Sequence, residues 1–396
     1  MSKSVDRPFG SAFFIYAENW VPHEKVASSG LDRALVPIVD ALRPWDPVAL
    51  LAPRRATQLR HPLHPTIKPY AAYPSLLSVI LDERRAKREA DYDGGGLTLS
   101  AHLKTIGTKK GVLFSVLGGD GRAYVRASRL AKLAGLKHII YSVDDPFAWA
   151  DERAAVRPNL VAIKPRVQEA LRSATAVLTI TPHLSIALSG KTGRNCHALA
   201  LPYVEGAVKA NPAKRQLIYV GTMSHLYGDS FVQVVEAVGR RRAAGDDLRL
   251  RATFSSDSLD GLLPVIPDFV DLGRIDDRSA FLEAIADSLA AVCPISFDPS
   301  QEMVRTSFPS KLLDYLANAR CIIVHGPTDS VAARYLTDAD LPFVSSCPNE
   351  LDGVLKLICD EQPNQRARYR MQLDKAHGSG QFRATLRSVL SEIPVA

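Results

Sequence analysis

Short apolar runs alternate with amphipathic segments along most of the chain. In the first half, SAFFIYA (11–17), GVLFSVLG (111–118) and KHIIYSV (137–143) have the apolar character of buried strands. In the second half, QLIYVG (216–221) and LAAVCPI (289–295) have the same character. The segments between such runs place apolar residues at helical spacing. This alternation predicts an α/β fold, with a mostly parallel sheet covered by helices in each half of the chain.

A polar stretch separates the two alternating regions. YVEGAVKANPAKRQ (203–216) contains the glycine, proline and charged residues that are typical of a linker. We therefore predict an N-terminal domain over residues 1–205, a second domain over 206–375, and a C-terminal helix over 376–396 that packs back on the first domain. Ligands of open α/β sheets bind at the carboxyl ends of the strands. Two Rossmann-like domains that face each other across a cleft are expected.

Composition excludes several classes of protein. The sequence is 46% hydrophobic and 23% charged, which argues against disorder. No apolar run approaches the length of about 18 residues that a spanning helix needs, and the start lacks a signal-peptide pattern, so a cytoplasmic protein is expected. The five cysteines form no C-x-x-C pair, and the histidines have no metal-ligand spacing. We expect buried thiols, no metal and no required cofactor.

The net charge of +7 is concentrated in one segment. Residues 51–110 contain 11 lysines and arginines against 5 acidic residues. Such clustering suits an anionic lipid surface, a phosphorylated substrate or nucleic acid, and a solvated helix and loop face has the same composition. We predict a peripheral position on the inner face of a membrane and no nucleic-acid partner.

The richest candidate site follows the predicted strand at 289–295. A polar loop leads into a helix that opens at Pro309, Ser310 and Lys311. Proline suits the first turn of a helix, and the free N–H groups of that turn together with the serine and lysine predict a phosphate site. The apolar face of this helix would turn to the sheet and direct Lys311 and Asp314 toward the loop. An ordinary amphipathic helix with an exposed lysine is the alternative.

Two further segments bring polar groups to the same predicted sheet edge. The strand at 216–221 ends at Gly221, followed by Thr222 and Met223, where a glycine lets backbone approach a ligand. A plain strand-to-helix turn has the same pattern. Arg274 follows the predicted strand FVDL, and an arginine there is suited to pairing with a diphosphate or a sugar carboxylate.

Carboxylates at strand ends of the first domain are candidates for a general base. Asp144 and Asp145 follow the predicted strand at 137–143, and Pro146 ends it. Adjacent residues of an extended chain point to opposite sides, so only one of the two would face a cleft. Two turn residues before a proline are the alternative interpretation.

A glycine turn, GGDGR (118–122), lies between a predicted strand and a helix. It does not meet the G-x-G-x-x-G spacing of a dinucleotide site, so we interpret it as a turn that an acceptor approaches. The acceptor-side candidates, which include two residues after the first strand, are Asn19, Trp20, Gly119, Asp120 and Arg122.

The segment SFPSKLLDYLANARCIIVHGP (307–327) resembles the sugar-nucleotide segment of GT-B glycosyltransferases, where a strand, loop and helix hold the donor diphosphate. Many retaining members carry two glutamates eight positions apart there; this chain has Thr306 and Asp314, which favours inversion. YVGTM, SKLL and IIYSVDDP are similar to segments of the inverting glucuronosyltransferase of xanthan-type exopolysaccharide assembly. The candidate donor-binding residues are Gly221, Thr222, Met223, Arg274, Ser307, Pro309, Ser310, Lys311 and Asp314.

The resemblance implies an inverting transfer from a nucleotide-diphosphate sugar, with a UDP-sugar favoured over a GDP-sugar, to a lipid-linked or polysaccharide acceptor. It places the general base at Asp145, with Asp144 capping the turn. Met223 would line the nucleotide, Lys311 the diphosphate, and Asp314 the donor sugar or ribose. A non-catalytic GT-B-like scaffold subunit is the alternative, supported by the missing glutamate at Thr306. A nucleotide-sugar epimerase or dehydrogenase would need a glycine fingerprint that SAFFIYAENWVP lacks.

Overall fold

The chain forms two compact units in a computed structural model. Unit 1 comprises Met1–Ala27, Ala34–Pro202 and Ser379–Ala396, and unit 2 comprises Ser28–Arg33 and Tyr203–Gly378. The structure describes residues 12–16, 37–45, 48–50, 68–70, 111–119, 121–155, 158–203, 208, 214–221, 223–254, 262–263 and 265–392.

Unit 1 is built on a parallel sheet. Its strands are β1 (Ala12–Tyr16), β2 (Val48–Leu50), β3 (Lys68–Tyr70), β4 (Gly111–Leu117), β5 (Lys137–Ser142), β6 (Ala176–Thr179) and β7 (His197–Ala198). Their order in the sheet is β3-β2-β1-β4-β5-β6-β7, with every neighbouring pair parallel. Every residue of β4 is buried, as its unbroken apolar run predicts.

Helices connect these strands. Residues 37–42 are helical and continue into a short 3₁₀ turn at Arg43–Trp45. Between residues 121 and 192 the helices are α1 (Gly121–Ala134), α2 (Pro146–Glu152), α3 (Asn159–Ala162), α4 (Lys164–Ser173) and α5 (Pro182–Thr192). Prolines occupy the first turns of α2, α4 and α5, where no backbone N–H is lost from the helix.

Unit 2 has a second parallel sheet. Its strands are β8 (Lys214–Tyr219), β9 (Arg249–Ala252), β10 (Val270–Leu272), β11 (Ser288–Pro294), β12 (Ile322–His325) and β13 (Val344–Ser345), in the order β10-β9-β8-β11-β12-β13. Its helices are α6 (Gly228–Ala243), α7 (Arg278–Asp287), α8 (Met303–Thr306), α9 (Lys311–Asn318), α10 (Val331–Asp338), α11 (Pro348–Glu361) and α12 (Arg366–His377).

The last helix, α13 (Ser379–Ser391), belongs to unit 1. The ring of Phe382 meets the ring of Tyr141 edge-on at 6.2 Å between centroids. The guanidinium of Arg387 lies 5.8 Å from the ring centroid of Trp45. These aromatic contacts join the end of the chain to the sheet and to the 3₁₀ turn of the same unit.

The strand order determines where each unit can bind a ligand. In both sheets the order reverses beside the first strand: between β1 and β4 in unit 1, and between β8 and β11 in unit 2. Loops on either side of such a switch point diverge and leave a crevice at the carboxyl ends of the strands. The predicted α/β fold with a parallel sheet in each half is confirmed.

Candidate functional site

A cavity of about 410 Å³ lies at the switch point of unit 2, within the range of small-molecule sites. It is formed by the loop that follows β8, the loop that follows β11 and the first turn of α6. The lining residues are Met223, Ser224, His225, Gly228, Asp229, Leu262, Ser296, Asp298 and Gln301. Met223 was predicted as a donor-side residue from the strand end that precedes it.

Hydrogen bonds hold the two loops and α6 together. They run from the Ser296 amide to the Leu226 carbonyl (2.8 Å), from the Phe297 amide to Asp229 Oδ2 (2.9 Å), from Gln301 Nε2 to the His225 carbonyl (3.0 Å), and from the Ser230 hydroxyl to the Ile295 carbonyl. Each of these bonds involves at least one backbone group, so they connect the main chain of the segments that form the cavity wall.

The lining of the cavity is rich in acceptor oxygens. Gln301 is only 8% exposed, and its Oε1 is buried without a hydrogen-bond partner in the described part of the chain. The hydroxyl and amide of Ser300 donate to Asp298 Oδ1 at 2.7 and 2.9 Å, which lowers the pKa of the Asp298 carboxyl below its usual range. Asp298 is therefore ionised at neutral pH. The polar segment SFDPSQE could be recognised in the sequence, but not which of its side chains line a cavity.

Lys311 lies beside the cavity wall but not on an open surface. The side chain is 6% exposed; its Nζ donates to Tyr219 Oη at 2.9 Å and lies 4.0 Å from that ring centroid. The same ammonium is 3.6 Å from the ring centroid of Tyr227, the residue that precedes α6. Every residue of α9 is buried, so Lys311 is not the exposed lysine of an ordinary amphipathic helix. Its contacts instead join α9 to the start of α6.

Asp314 is also inside the unit. Its Oδ1 accepts a hydrogen bond of 2.6 Å from Nη2 of Arg278, the first residue of α7. The carboxylate therefore takes part in an ion pair between two helices. An amphipathic pattern assigns one buried face, whereas α9 is covered on all sides.

The residues just before α9 have mixed surroundings. Pro309 is buried. Ser310 occupies the N-cap position of α9, but its side chain accepts no hydrogen bond from the first turn of the helix. The Oγ of Ser307 is buried and has no hydrogen-bond partner among the described residues.

At the other predicted donor positions, Gly221 has φ +101°, a conformation that only glycine adopts easily. Arg274 is exposed and pairs with Asp276 at 2.7 Å. Thr222 lies outside the described residues.

In unit 1, Asp145 is fully buried at the start of α2. Its Oδ1 accepts hydrogen bonds from the amides of Phe147 (2.9 Å) and Ala148 (3.1 Å). Its Oδ2 accepts one from Lys191 Nζ at 2.9 Å. Asp144 was predicted to cap the turn; the cap is instead Asp145, because a helix starts at Pro146 rather than a plain turn.

Asp144 is the more accessible of the two carboxylates. The residue is half-buried, and its Oδ2 lies 3.5 Å from the place where a Cβ would stand on Gly118. Gly118 follows β4, so the carboxylate lies at the carboxyl ends of β4 and β5, beside the switch point of unit 1.

The glycine turn after β4 has a packing role. A Cβ on Gly119 would stand 2.2 Å from Cδ1 of Trp149, so this glycine makes room for an indole of the same unit. The predicted open approach at Gly119 is therefore wrong, because Trp149 fills that space. Arg122 is half-buried on α1. Asn19, Trp20, Asp120 and most of the basic segment at 51–110 lie outside the described residues.

We expect Gly326→Ala to destabilise unit 2 by about 1–3 kcal/mol, because the added methyl group would overlap the backbone of Ile295 and force it to shift. A Cβ there would stand 2.6 Å from Ile295 Cβ and 2.7 Å from the Ile295 carbonyl oxygen, where the cavity loop begins. Thermal unfolding followed by circular dichroism measures the loss. Gly353→Ala in α11 is the matched control, since nothing lies within 4 Å of its Cβ, and it should stabilise by about 0.5–1 kcal/mol. Equal effects of the two substitutions would contradict the packing argument.

The described ranges lack both a metal cluster and a membrane-spanning helix. They contain no group of three or more histidine, cysteine or acidic side chains arranged to hold a metal ion. None of their helices combines the length and the apolar character that crossing a bilayer requires.

Comparison with known proteins identifies the fold. No protein-family model matches the chain, and no curated protein matches it. Sucrose-phosphate synthase from Thermosynechococcus elongatus superimposes with a TM-score of 0.63 at 12% identity, covering 96% of this chain and 98% of the synthase. AviGT4, a glycosyltransferase involved in avilamycin A biosynthesis, gives 0.58 at 11% identity, with 96% and 97% covered.

A variant of Staphylococcus aureus TarM in complex with fondaparinux, α-GlcNAc-glycerol and UDP gives a TM-score of 0.53 at 9% identity and covers 76% of this chain. The chain spans 59% of the length of TarM. The similarity to the synthase and to AviGT4 extends over both units of the chain. The chain therefore has the two-domain α/β fold of GT-B glycosyltransferases.

Proposed function

We propose that this chain is a glycosyltransferase that uses a nucleotide-diphosphate sugar. The observation that carries the proposal is the cavity at the β8–β11 switch point of a chain with the GT-B fold. Met223 lines that cavity, and Gly221 provides the positive φ that turns the chain toward it. TarM has been crystallised with UDP, which supports a UDP-sugar rather than a GDP-sugar as the donor here.

We further propose transfer with inversion. Retention in this fold is associated with a glutamate at the position of Thr306. Thr306 has no carboxylate, and its hydroxyl donates to the carbonyl of Glu302, the residue before α8, at 3.4 Å. In an inverting transfer, a base takes the proton of the acceptor hydroxyl while its oxygen attacks the anomeric carbon and the nucleoside diphosphate leaves.

Asp144 is the proposed base. Both oxygens of Asp145 accept hydrogen bonds inside unit 1, whereas the half-buried Asp144 lies at a strand end where ligands of such sheets bind. Asp145 then serves as a positioning residue, because it fixes the first turn of α2 directly after Asp144.

The proposed acceptor is a lipid-linked sugar or a polysaccharide at the inner face of a membrane. The basic segment at 51–110 supports this proposal through its charge, 11 basic residues against 5 acidic ones. Arg274, Ser307 and Ser310 remain proposed donor contacts on unit 2.

A thermal-shift screen with UDP, GDP and their sugars tests the donor proposal. We expect a UDP-sugar at about 100 times its Kd to stabilise unit 2 by about 2.7 kcal/mol, which corresponds to a rise in Tm of about 5–10 °C. Calorimetry supplies the Kd, and ATP serves as the control nucleotide. Absence of any shift with every uridine and guanosine nucleotide at millimolar concentration would refute the proposal.

A non-catalytic subunit of a polysaccharide assembly complex is the second candidate. The threonine at 306 and the burial of Lys311 and Asp314 favour it, since none of the three presents a charged group to solvent. Release of UDP from a UDP-sugar without acceptor separates the two candidates: an active transferase hydrolyses the donor slowly, and a binding subunit does not.

A further inference from the structure

We infer that Tyr124 on α1 and Ser142 at the end of β5 form a relay of two hydroxyl groups that positions Asp144 as the general base. Both roles rest on the proposed function, in which Asp144 takes the proton of the acceptor hydroxyl, and they add two positioning residues to that reaction. Neither residue touches a substrate, because both side chains are fully buried in unit 1. They act on the main chain of Asp144.

The direction of the relay follows from the number of protons. The Ser142 hydroxyl donates to the carbonyl of Asp144 at 2.8 Å, which uses its single proton. Tyr124 Oη is hydrogen-bonded to Ser142 Oγ, so the tyrosine is the donor in that pair. Two protons are therefore aligned, one from Tyr124 to Ser142 and one from Ser142 to the Asp144 carbonyl. The Tyr124 hydroxyl also lies 3.4 Å from that carbonyl oxygen itself.

Burial keeps the relay intact. Tyr124 and Ser142 are each 0% exposed, so water does not compete for their hydrogen bonds. Desolvation raises the pKa of the Tyr124 hydroxyl well above its ordinary value, and the charges of Asp144 and Asp145 raise it further. The tyrosine therefore keeps its proton, and remains a donor, at neutral and mildly alkaline pH.

The carbonyl of Asp144 lies between two regular elements. β5 ends two residues before it, and the carbonyl of Asp145, the N-cap of α2, already accepts the first helical hydrogen bond, from the Trp149 amide at 3.0 Å. The Asp144 carbonyl therefore belongs neither to the strand ladder nor to the helix, and the relay is what holds it. On the other side of Asp144, the Val143 amide donates to the Leu117 carbonyl at 2.9 Å. With the main chain held before and after Asp144, its side chain leaves the backbone in a fixed direction, as a general base requires.

Hydrolysis of the donor by Tyr124→Phe tests the inference. Phenylalanine keeps the ring and removes the proton that reaches Ser142. The probes are UDP-glucose, UDP-glucuronic acid and GDP-mannose with water as the acceptor, and the donor that the wild-type protein hydrolyses fastest serves for every variant. Tyr141→Phe is the matched control, because the Tyr141 hydroxyl is equally buried in the same unit and donates to a carbonyl, that of Leu199, at 2.9 Å.

We expect Tyr124→Phe to lower the turnover number about 10-fold with an unchanged KM for the donor. Each of the two tyrosine variants loses one buried hydrogen bond, so both should lower Tm by about 2–4 °C, and only Tyr124→Phe should lose turnover. In the Asp144→Asn background, adding Tyr124→Phe should change turnover by less than about 2-fold, since no base remains to be positioned. A hydroxyl with a structural role alone would reduce turnover equally in both backgrounds or in neither.

Wild-type turnover in Tyr124→Phe would overturn the inference, and so would a further 10-fold loss in the Asp144→Asn background or an equal loss in Tyr141→Phe. Should Tyr124→Phe fail to fold, Ser142→Ala decides in the same way, because it removes the middle of the relay, and unchanged turnover would contradict the relay. Full activity of Asp144→Asn would overturn the inference and leave the transferase activity standing. Absence of hydrolysis of every donor by the wild-type protein would instead refute the proposed function, and the inference with it.

Discussion

We expect Asp145→Ala to lower the free energy of unfolding of unit 1 by about 3 kcal/mol. The substitution removes the side chain that accepts hydrogen bonds from the amides of Phe147 and Ala148. It also removes the partner of Lys191. Because Phe147 and Ala148 are buried, water cannot replace the lost acceptor without entering the start of α2. The side chain of Lys191 is 31% exposed, so its ammonium can be resolvated and the ion pair contributes the smaller part.

Denaturant unfolding followed by tryptophan fluorescence measures this loss. The fluorescence reports unit 1, because every tryptophan of the sequence precedes residue 203. Asp145→Asn is the informative comparison, since an amide oxygen can still cap the helix, and we expect it to lose about 1 kcal/mol. A wild-type free energy of unfolding for Asp145→Ala would show that α2 does not depend on this cap.

Asp144→Asn should lower the turnover number by about 10²-fold or more, because an amide cannot take the acceptor proton. The expected change in stability is within about 0.5 kcal/mol. The backbone carbonyl of Asp144, which accepts a hydrogen bond from the Ser142 hydroxyl at 2.8 Å, is retained in the variant. Release of UDP from the donor, measured with and without acceptor, gives the rate, and calorimetry should give an unchanged donor Kd.

Asp151→Asn is the control for Asp144→Asn. Asp151 is an exposed carboxylate on α2 of the same unit, paired with Lys164 across its surface. We expect wild-type turnover and wild-type stability from this variant. Full activity of Asp144→Asn would remove Asp144 as the base. Loss of activity together with a loss of donor affinity would point to a binding role instead.

The position of Asp144 and Asp145 could be predicted from the sequence, but not which of the two is buried. The predicted strand at 137–143 and the proline after it placed the pair at a sheet edge, and β5 ends at Ser142, one residue before the predicted end. Which carboxylate faces inward depended on whether the chain turns or begins a helix at Pro146. That choice involves Lys191, which is 46 residues away in sequence. No local pattern contains this information.

In unit 2, the sequence predicted the helix that follows the polar loop but not the surroundings of its charged side chains. The proline at 309 and the leucine spacing predicted a helix that opens at 309–311, and α9 begins at Lys311. The sequence did not show that Tyr219, Tyr227 and Arg278, which come from distant segments, enclose the two charged side chains of this helix. The cavity formed instead between loops whose residues, such as His225 and Gln301, are far apart in sequence.

The sequence by itself determined the class of the fold, two parallel sheets with a strand end at each candidate site, because strand and helix periodicity are local properties of the chain. It could not determine which polar side chains would be enclosed and which would line a cavity. The tertiary structure decided that, since burial and ion pairing depend on neighbours brought together from β8, α7 and α9, and the free energy of a charged group depends on those neighbours more than on its own position in the sequence.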